Sequence, residues 1–307
     1  MADGAGKARR VALVTGASRG IGRAIALGLG RDHDVAVAYH QHHDKATEVV
    51  NFAQGDVMMV GGFVAYTFFS IWHLPFGVAV LATVAVLAVF GALFERVVLR
   101  HILGQPAFAA VMVTIGTGYA LRGLVTMVPG WGTETRQLKM PFSETFLRQG
   151  GVSIAMDHIA IIATTLVLCA SLYLLFKRTR IGIAMQAASQ NQLAAFYVGI
   201  PVQVMHSLIW AVSAAIAAVA GILLAPITFV HNNMGLIALN AFPAAVVGGF
   251  GSIPGALVGG LIIGVVESLS GYFLPEGFKA VAPHVVVLLV LIVKPSGIFS
   301  AMRKKKV

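Results

Sequence analysis

Beyond residue 56 the chain alternates long apolar runs with short polar connectors. The runs fall at about 57–71, 75–94, 107–128, 153–176, 204–226, 241–270 and 281–293. A bilayer core of roughly 30 Å takes about 20 helical residues to cross, so most of these runs are long enough to span, and 57–71 is short. The run 241–270 is interrupted by Gly248, Gly249, Gly251, Pro254 and Gly255, which predicts a broken or re-entrant helix. The fold class expected is an all-α polytopic membrane protein of about 7–8 membrane segments, one of them broken. Before residue 56 the pattern differs. An apolar, β-prone run (Val11 to Thr15) precedes glycines at Gly16, Gly20 and Gly22, a helix-like AIALGLG and a second apolar run at Val35 to Tyr39. That order is the start of a βαβ unit, too small at this length to bury a core of its own.

Composition supports the membrane class. Hydrophobic residues make up 58% and charged residues 11% of the chain, with a mean hydropathy of +0.85, whereas about 25% of residues are charged in soluble domains. Cys169 is the only cysteine, so an intrachain disulfide is impossible and the redox compartment is not readable from it. The N-terminus is polar and carries no signal-peptide pattern.

Charge then sets an orientation. Segments 1–56, 95–106, 177–203 and 294–307 hold most of the 22 Lys and Arg residues, and 129–152 and 271–280 hold few. Lys and Arg accumulate on the cytoplasmic side, so both termini are expected there, at a bacterial inner membrane, with the KRTR and RKKK clusters meeting anionic headgroups. The net charge of +10 is thereby a matter of topology. These charges flank spans and are not interleaved with aromatics on one face, so no nucleic acid is expected as a partner.

The N-terminal glycines have a chemistry of their own. Glycines at a strand-to-helix turn let backbone approach a pyrophosphate, and the helix N-terminus offers N–H groups to its charge. The spacing TGxxxGxG, with Ser18 and Arg19 inside it, resembles the short-chain dehydrogenase/reductase family from about Ala8 to Val50. That resemblance implies a preference for NADP through Arg19. It stops there: the sheet is short of strands and the Ser, Tyr and Lys catalytic set is missing. Tyr173 and Lys177 have the Tyr-x-x-x-Lys spacing, but they end an apolar span, no serine stands at the expected distance, and Lys177 belongs to the KRTR cluster. The dinucleotide site at Gly16, Gly20 and Gly22 is therefore read as vestigial.

Four blocks carry a second resemblance: "NFAQGDVMMVGGFVAY" (51–66), "RTRIGIAMQAASQNQLAAFYVGIPV" (178–202), "AFPAAVVGGFGSIPGALVGGLIIGVVESL" (241–269) and "LIVKPSGIF" (291–299). In this order over about 250 residues they look like the membrane subunit of branched-chain amino-acid ABC importers, the LivH-like permeases. The resemblance implies an importer driven by two cytoplasmic ATPase subunits, with a second homologous permease and a periplasmic substrate-binding protein as partners. No cofactor, metal or catalytic residue is expected in this chain, since ATP is used by the partners and no GxxxxGK[ST] is present. It divides the chain into 1–50, an incomplete Rossmann-like fragment, and 51–307, the permease domain. In the family the NFAxGD-like block follows a first transmembrane helix; here the reductase-like segment stands in that place, with the switch between about Thr47 and Asn51.

Site residues follow from the blocks. In 178–202 the small and polar residues Ala187, Ala188, Ser189, Asn191, Ala194, Ala195 and Gly199 allow another surface to approach closely, and the Gly-Ile-Pro ending stops the helix. The resemblance implies that this is the segment that couples to the ATPase, with Gln186 where relatives carry a basic residue; the plain alternative is an amphipathic connector. For the translocation path the residues are Asn51, Gln54, Asp56, Gly248, Gly249, Gly251 and Ser252, because backbone opened by glycine at membrane depth needs a cavity or protein to satisfy it. Gly255, Gly259 and Gly260 read as close-packing surface. Arg122, Asp157 and Glu267 are intramembrane ionisable candidates, the latter two near span ends where interfacial hydration suffices, and Asp56 is expected to stay at the interface. The alternative function, a membrane-tethered NADP-dependent reductase, requires a partner chain to supply both strands and catalytic residues.

Overall fold

The computed structural model describes residues 11–15, 34–38 and 51–299, apart from 103–104, 106, 133, 139, 142–144, 150–151, 250, 276 and 295. It divides into two compact units, one made of Met1–Glu48 with Gly104–Ala107 and the other of the remaining chain.

In the first unit the described residues form two five-residue strands, β1 (Val11–Thr15) and β2 (Asp34–Ala38). They pair in parallel, Val11 opposite Asp34 through Thr15 opposite Ala38, and parallel neighbours need a crossover connection between them. Gly16, Gly20, Gly22 and Arg19 lie outside the described residues, as do residues 1–10 and 300–307, on which the expectation of two cytoplasmic termini falls.

The second unit is helical. In chain order it comprises α1 (Gln54–Tyr66), extended by a π-helical turn at Thr67–Ile71, α2 (Phe76–Val97) with a 3-10 turn at Leu99–His101, and α3 (Ala107–Met127). Then come α4 (Met156–Arg178), α5 (Arg180–Gln190), α6 (Gln192–Tyr197) and α7 (Val202–Thr228). A 3-10 stretch at Met234–Asn240 leads into α8 (Ala241–Gly248), followed by α9 (Ile253–Phe273) and α10 (Phe278–Val293). Among the described residues five helices are long and apolar enough to cross a membrane, at Phe76–His101, Phe108–Met127, Met156–Arg178, Val202–Thr228 and Ile253–Phe273; Met234–Gly248 and Phe278–Val293 are apolar but shorter. The chain is thus a mostly helical, multi-pass membrane protein.

Three expectations are refined. The apolar run 241–270 does break: α8 ends at Gly248 and α9 begins at Ile253, with Gly249 and Gly251 at φ +95° and +84°, a region that favours glycine. The run at 57–71 is part of a helix that begins earlier, at Gln54. The run at 153–176 opens as a strand, because Val152–Ala155 (β4) pairs antiparallel with Phe146–Gln149 (β3) before α4 starts at Met156.

The core sits where α1 packs on α2, α7 and the 3-10 stretch. Met59 and Phe63 of α1 are fully buried there with Leu87, Ala218 and Met234. Small residues bring the backbones together, since a Cβ on Gly61 would lie 2.8 Å from the Ala218 Cα. Without a hydrophobic force between helices in lipid, such close contact is what holds spans together. Phe63 stacks on Trp131 at 5.3 Å, and the Trp131 indole donates to Thr67 Oγ1 at 2.6 Å, which fastens the far end of α1.

Candidate functional site

The site begins where α1 begins. Ser213 lies near the middle of α7, a helix of 27 residues and so about 40 Å long. Gln54 is joined to it twice: its Nε2 donates to the Ser213 carbonyl at 3.0 Å, and Ser213 Oγ donates to Gln54 Oε1 at 2.9 Å. Asn51 completes the start of the helix, donating from Nδ2 to Gln54 Oε1 at 3.1 Å and accepting from the Ala53 N–H at 3.1 Å. Thus α1 starts halfway along α7 and runs to one end only, a half-length helix whose first turn is inside the apolar body. Irregular backbone at such depth is stable where protein or a cavity satisfies it.

A cavity is present at that point. A cleft of about 890 Å³ opens beside Asn51, Gln54 and Gly55, walled by Met58 of α1, Ile216, Ala220 and Leu224 of α7 and Leu288 of α10. Its surface is apolar, with Phe52 and Phe242 among the aliphatic residues, apart from the two amides and His284, whose Nδ1 lies 3.0 Å from the Ala280 carbonyl. A carbonyl only accepts, so a hydrogen bond here is donated by Nδ1.

Asp56, expected at the interface, is enclosed by protein. It is 4% exposed, one turn inside α1, where Arg122 Nε of α3 donates to its Oδ1 at 2.6 Å. The pair resolves both charges at once, since either alone would be costly in lipid. Gly118 and Gly235 wall the carboxylate so closely that a Cβ at either position would strike its oxygens. The Arg122 guanidinium also lies over the Tyr119 ring, 5.5 Å from its centroid.

The glycine-rich residues assigned to the path lie elsewhere. Gly248 and Gly255 press backbone to backbone where α8 crosses α9, and Phe299 N–H donates to the Gly248 carbonyl at 3.1 Å. Gly249 N–H closes the last turn of α8 onto Ala245. Ser252 caps α9 by accepting from the Gly255 N–H at 3.0 Å. Gly251 and Ser252 line a second cavity, of about 540 Å³, with Tyr173, Lys177 and Gln186. The structure therefore brings Asn51, Gln54 and Asp56 together and sets Gly248, Gly249, Gly251 and Ser252 apart from them, next to the end of α4 and the start of the 178–202 block.

That block folds as two short helices with built-in caps. Thr179 Oγ1 accepts from the Gly182 N–H at 3.0 Å, and Asn191 Oδ1 from the Ala194 N–H at 2.9 Å, which is how side chains satisfy helix N-termini. The outward face differs from the small surface expected. Ala188 and Ala195 are buried with Met185 against Met205 of α7, and Ala187 packs beside them. Asn191, Ala194 and Gly199 are exposed, in the company of Phe196, Tyr197 and Val198. Ala187, Ala188 and Ala195 thus seat the segment on its own protein, and its exposed face mixes small residues with large ones. Gln186 Nε2 donates to the Phe176 carbonyl at 2.9 Å, joining α5 to α4.

Lys177 and Glu267 have nearby partners. Lys177 donates to the Tyr173 hydroxyl at 2.5 Å one turn away on α4, so this Tyr-x-x-x-Lys is an intrahelical pair. Glu267 faces Lys279 at 3.9 Å, and Asp157 lies in the first turn of α4. Sequence reasoning missed Ser213 and the pairing of Asp56 with Arg122. A serine among apolar residues in 204–226 was a signal for the first, and two opposite charges in separate spans were a signal for the second.

A multi-pass helical body with a half-length helix, an apolar cleft at its start and a capped pair of short helices at one end defines a membrane transport protein. The chain belongs to the family of branched-chain amino acid transport system permease components, which it matches over residues 45–294. It is 31% identical over 280 residues to the high-affinity branched-chain amino acid transport system permease protein LivH of Salmonella typhimurium, covering 84% of this chain and 88% of that protein. The protein BraD of Pseudomonas aeruginosa, with the same description, is 30% identical over 271 residues (84% and 88%). An archaeal relative, the probable branched-chain amino acid transport permease protein LivH of Methanocaldococcus jannaschii, is 31% identical over 279 residues (84% and 85%). No solved structure is detectably similar. This chain is accordingly a transport permease, an ABC importer subunit and not an enzyme.

Proposed function

We propose that the chain is the translocating subunit of an importer for branched-chain amino acids or a related small solute, and that the cleft at the start of α1 lies on the path. The observation that carries this is the pairing of an apolar, mostly aliphatic wall with polar groups confined to Asn51, Gln54 and His284. A branched aliphatic amino acid has the same division, with an apolar side chain and a zwitterionic end, and transporters place such ends at half-helix termini near mid-depth. Asp56 serves as the anchor that holds this half-helix through Arg122. Gly248, Gly249, Gly251 and Ser252 act in the path indirectly, by setting the crossing of α8 and α9.

The chain works with a second homologous permease, two cytoplasmic ATPase subunits and a periplasmic binding protein, and lies in an inner membrane with both termini cytoplasmic. The segment 178–202 is the coupling element, its exposed Phe196, Tyr197 and Val198 filling the ATPase surface while Ala188 and Ala195 seat it on α7. ATP is bound by the partners and no cofactor by this chain. Residues 1–50 are a passenger: β1 and β2 are a parallel pair, and a dinucleotide needs the crevice made where further strands reverse the sheet order.

Competition for ATP-driven uptake of radiolabelled leucine into vesicles holding the reconstituted importer tests the substrate class. Isoleucine and valine should compete and urea and acetamide should not; uptake competed by urea alone would overturn the amino-acid assignment.

A further inference from the structure

The hydrogen bonds at the polar end of the α1 cleft have a direction. Gln54 Oε1 accepts twice, from Ser213 Oγ at 2.9 Å and from Asn51 Nδ2 at 3.1 Å, which fills both lone pairs of a carbonyl oxygen. Asn51 Oδ1 accepts from the Ala53 N–H at 3.1 Å. Each amide nitrogen carries two N–H groups and gives one within the protein, Asn51 Nδ2 to Gln54 and Gln54 Nε2 to the Ser213 carbonyl at 3.0 Å. The amide oxygens are thus engaged by protein donors, while one N–H of each amide is left for water or a solute, and both residues line the cleft.

Charge agrees with that direction. An α-amino acid brings a carboxylate, which only accepts, and an ammonium, which only donates. No acidic side chain is among the described residues that line the cleft, and the α1 carboxylate, Asp56, is held by Arg122 Nε at 2.6 Å. His284, the third polar residue of the lining, is neutral or cationic and supplies no counter-charge to an ammonium. A carboxylate therefore meets donors at this end, and an ammonium meets no anion.

The walls suit the other end of such a solute. Beyond Ser213 the α7 residues that line the cleft are Ile216, Ala217, Ala220 and Leu224, spaced along one helix face, and Met58 follows Gln54 one turn along α1. The lining turns apolar within one turn of the amides, about 5 Å. A solute whose carboxylate meets the amides then lays its side chain on the apolar wall.

We propose that Asn51 and Gln54 are the residues that select a carboxylate, and that this cleft takes branched aliphatic carboxylates with or without an α-amino group. The assignment rests on the cleft lying on the path, as given above. The test is displacement of radiolabelled leucine from the full chain assembled with its companion permease and ATPases in lipid nanodiscs, with the binding protein left out so that its own selectivity does not enter. Isocaproate, which is leucine without the amino group, should displace it with a Kd within about threefold of leucine's, and leucinamide, which lacks the carboxylate, should be weaker by roughly tenfold or more, the size of losing hydrogen bonds to a charged group. Asn51→Asp sets a negative charge where the carboxylate lies and should reverse that order, whereas Asn51→Ser, which keeps a donor, should preserve it. Leu288→Ala, on the apolar wall, should weaken both analogues by a similar factor. Leucinamide that binds as tightly as isocaproate, or an order that Asn51→Asp leaves unchanged, would overturn the carboxylate assignment alone, since leucine still binds. If Asn51→Asp does not assemble, the wild-type comparison decides. Leucine without displaceable binding would overturn the cleft as a solute site, and the assignment with it.

Discussion

Asp56 and Arg122 show a single interaction deciding where a helix can begin. Breaking a buried ion pair leaves one uncompensated charge, and the cost is about 3–5 kcal/mol. Asp56→Asn should therefore destabilise the folded protein by about that much, read as a large drop in the unfolding temperature in detergent. Asp56→Asn with Arg122→Gln should be milder than Asp56→Asn alone, because no charge is then stranded; equal losses would mean that the pair does not hold α1. Gly118→Ala tests the same contact sterically, since the new methyl strikes an Asp56 oxygen. At this scale the sequence was partly legible. Asp56 and Arg122 stood out as charges among apolar residues, but their pairing spans 66 positions, and only the packing of α1 on α3 reveals it. Without the partner, an interfacial position was the sound expectation for Asp56.

Among elements, the 178–202 segment departs most from its expected form. Small residues at helical spacing announce close approach, and the pattern cannot say to which surface. Ala188 and Ala195, buried with Met185 against Met205, face the protein's own α7, whereas Asn191, Ala194 and Gly199 are exposed. Two substitutions then part company. Ala195→Glu places a charge against Met185 and Met205 and should impair folding or membrane yield. Gly199→Glu meets open space but sits at φ +84°, a strain of roughly 1–2 kcal/mol, so the protein should persist in the membrane with transport weakened. Tyr197→Ala and Phe196→Ala should leave folding intact and lower binding-protein-stimulated ATP hydrolysis several-fold. Normal stimulation in the double variant would remove those side chains from the coupling surface. The break in 241–270 was legible because glycine and proline punctuate it. The start of α1 at Gln54 was not, because its polar first turn reads as a connector until Ser213 is seen to receive it.

Across the whole molecule, hydropathy and the order of the four blocks were enough to place the chain in its family, which it matches over residues 45–294. The number of crossings was less accessible. Among the described residues, length and composition single out five full-length helices, and the half-length α1 and short α8 are not among them. If the Lys and Arg excess sets orientation, reporters fused after Val307 and within residues 1–10 should be active in the cytoplasm; periplasmic activity of either would reverse the topology. The proposed function places transport in the permease and not in the N-terminal glycine turn. Its most direct test is ATP-driven leucine uptake into vesicles by the full chain with its partner subunits, set beside the variant Gly16→Val, Gly20→Val, Gly22→Val. Equal, ATP-dependent and NADP-independent uptake by both is the predicted result; uptake that disappears in the variant, or that requires NADP, would contradict it.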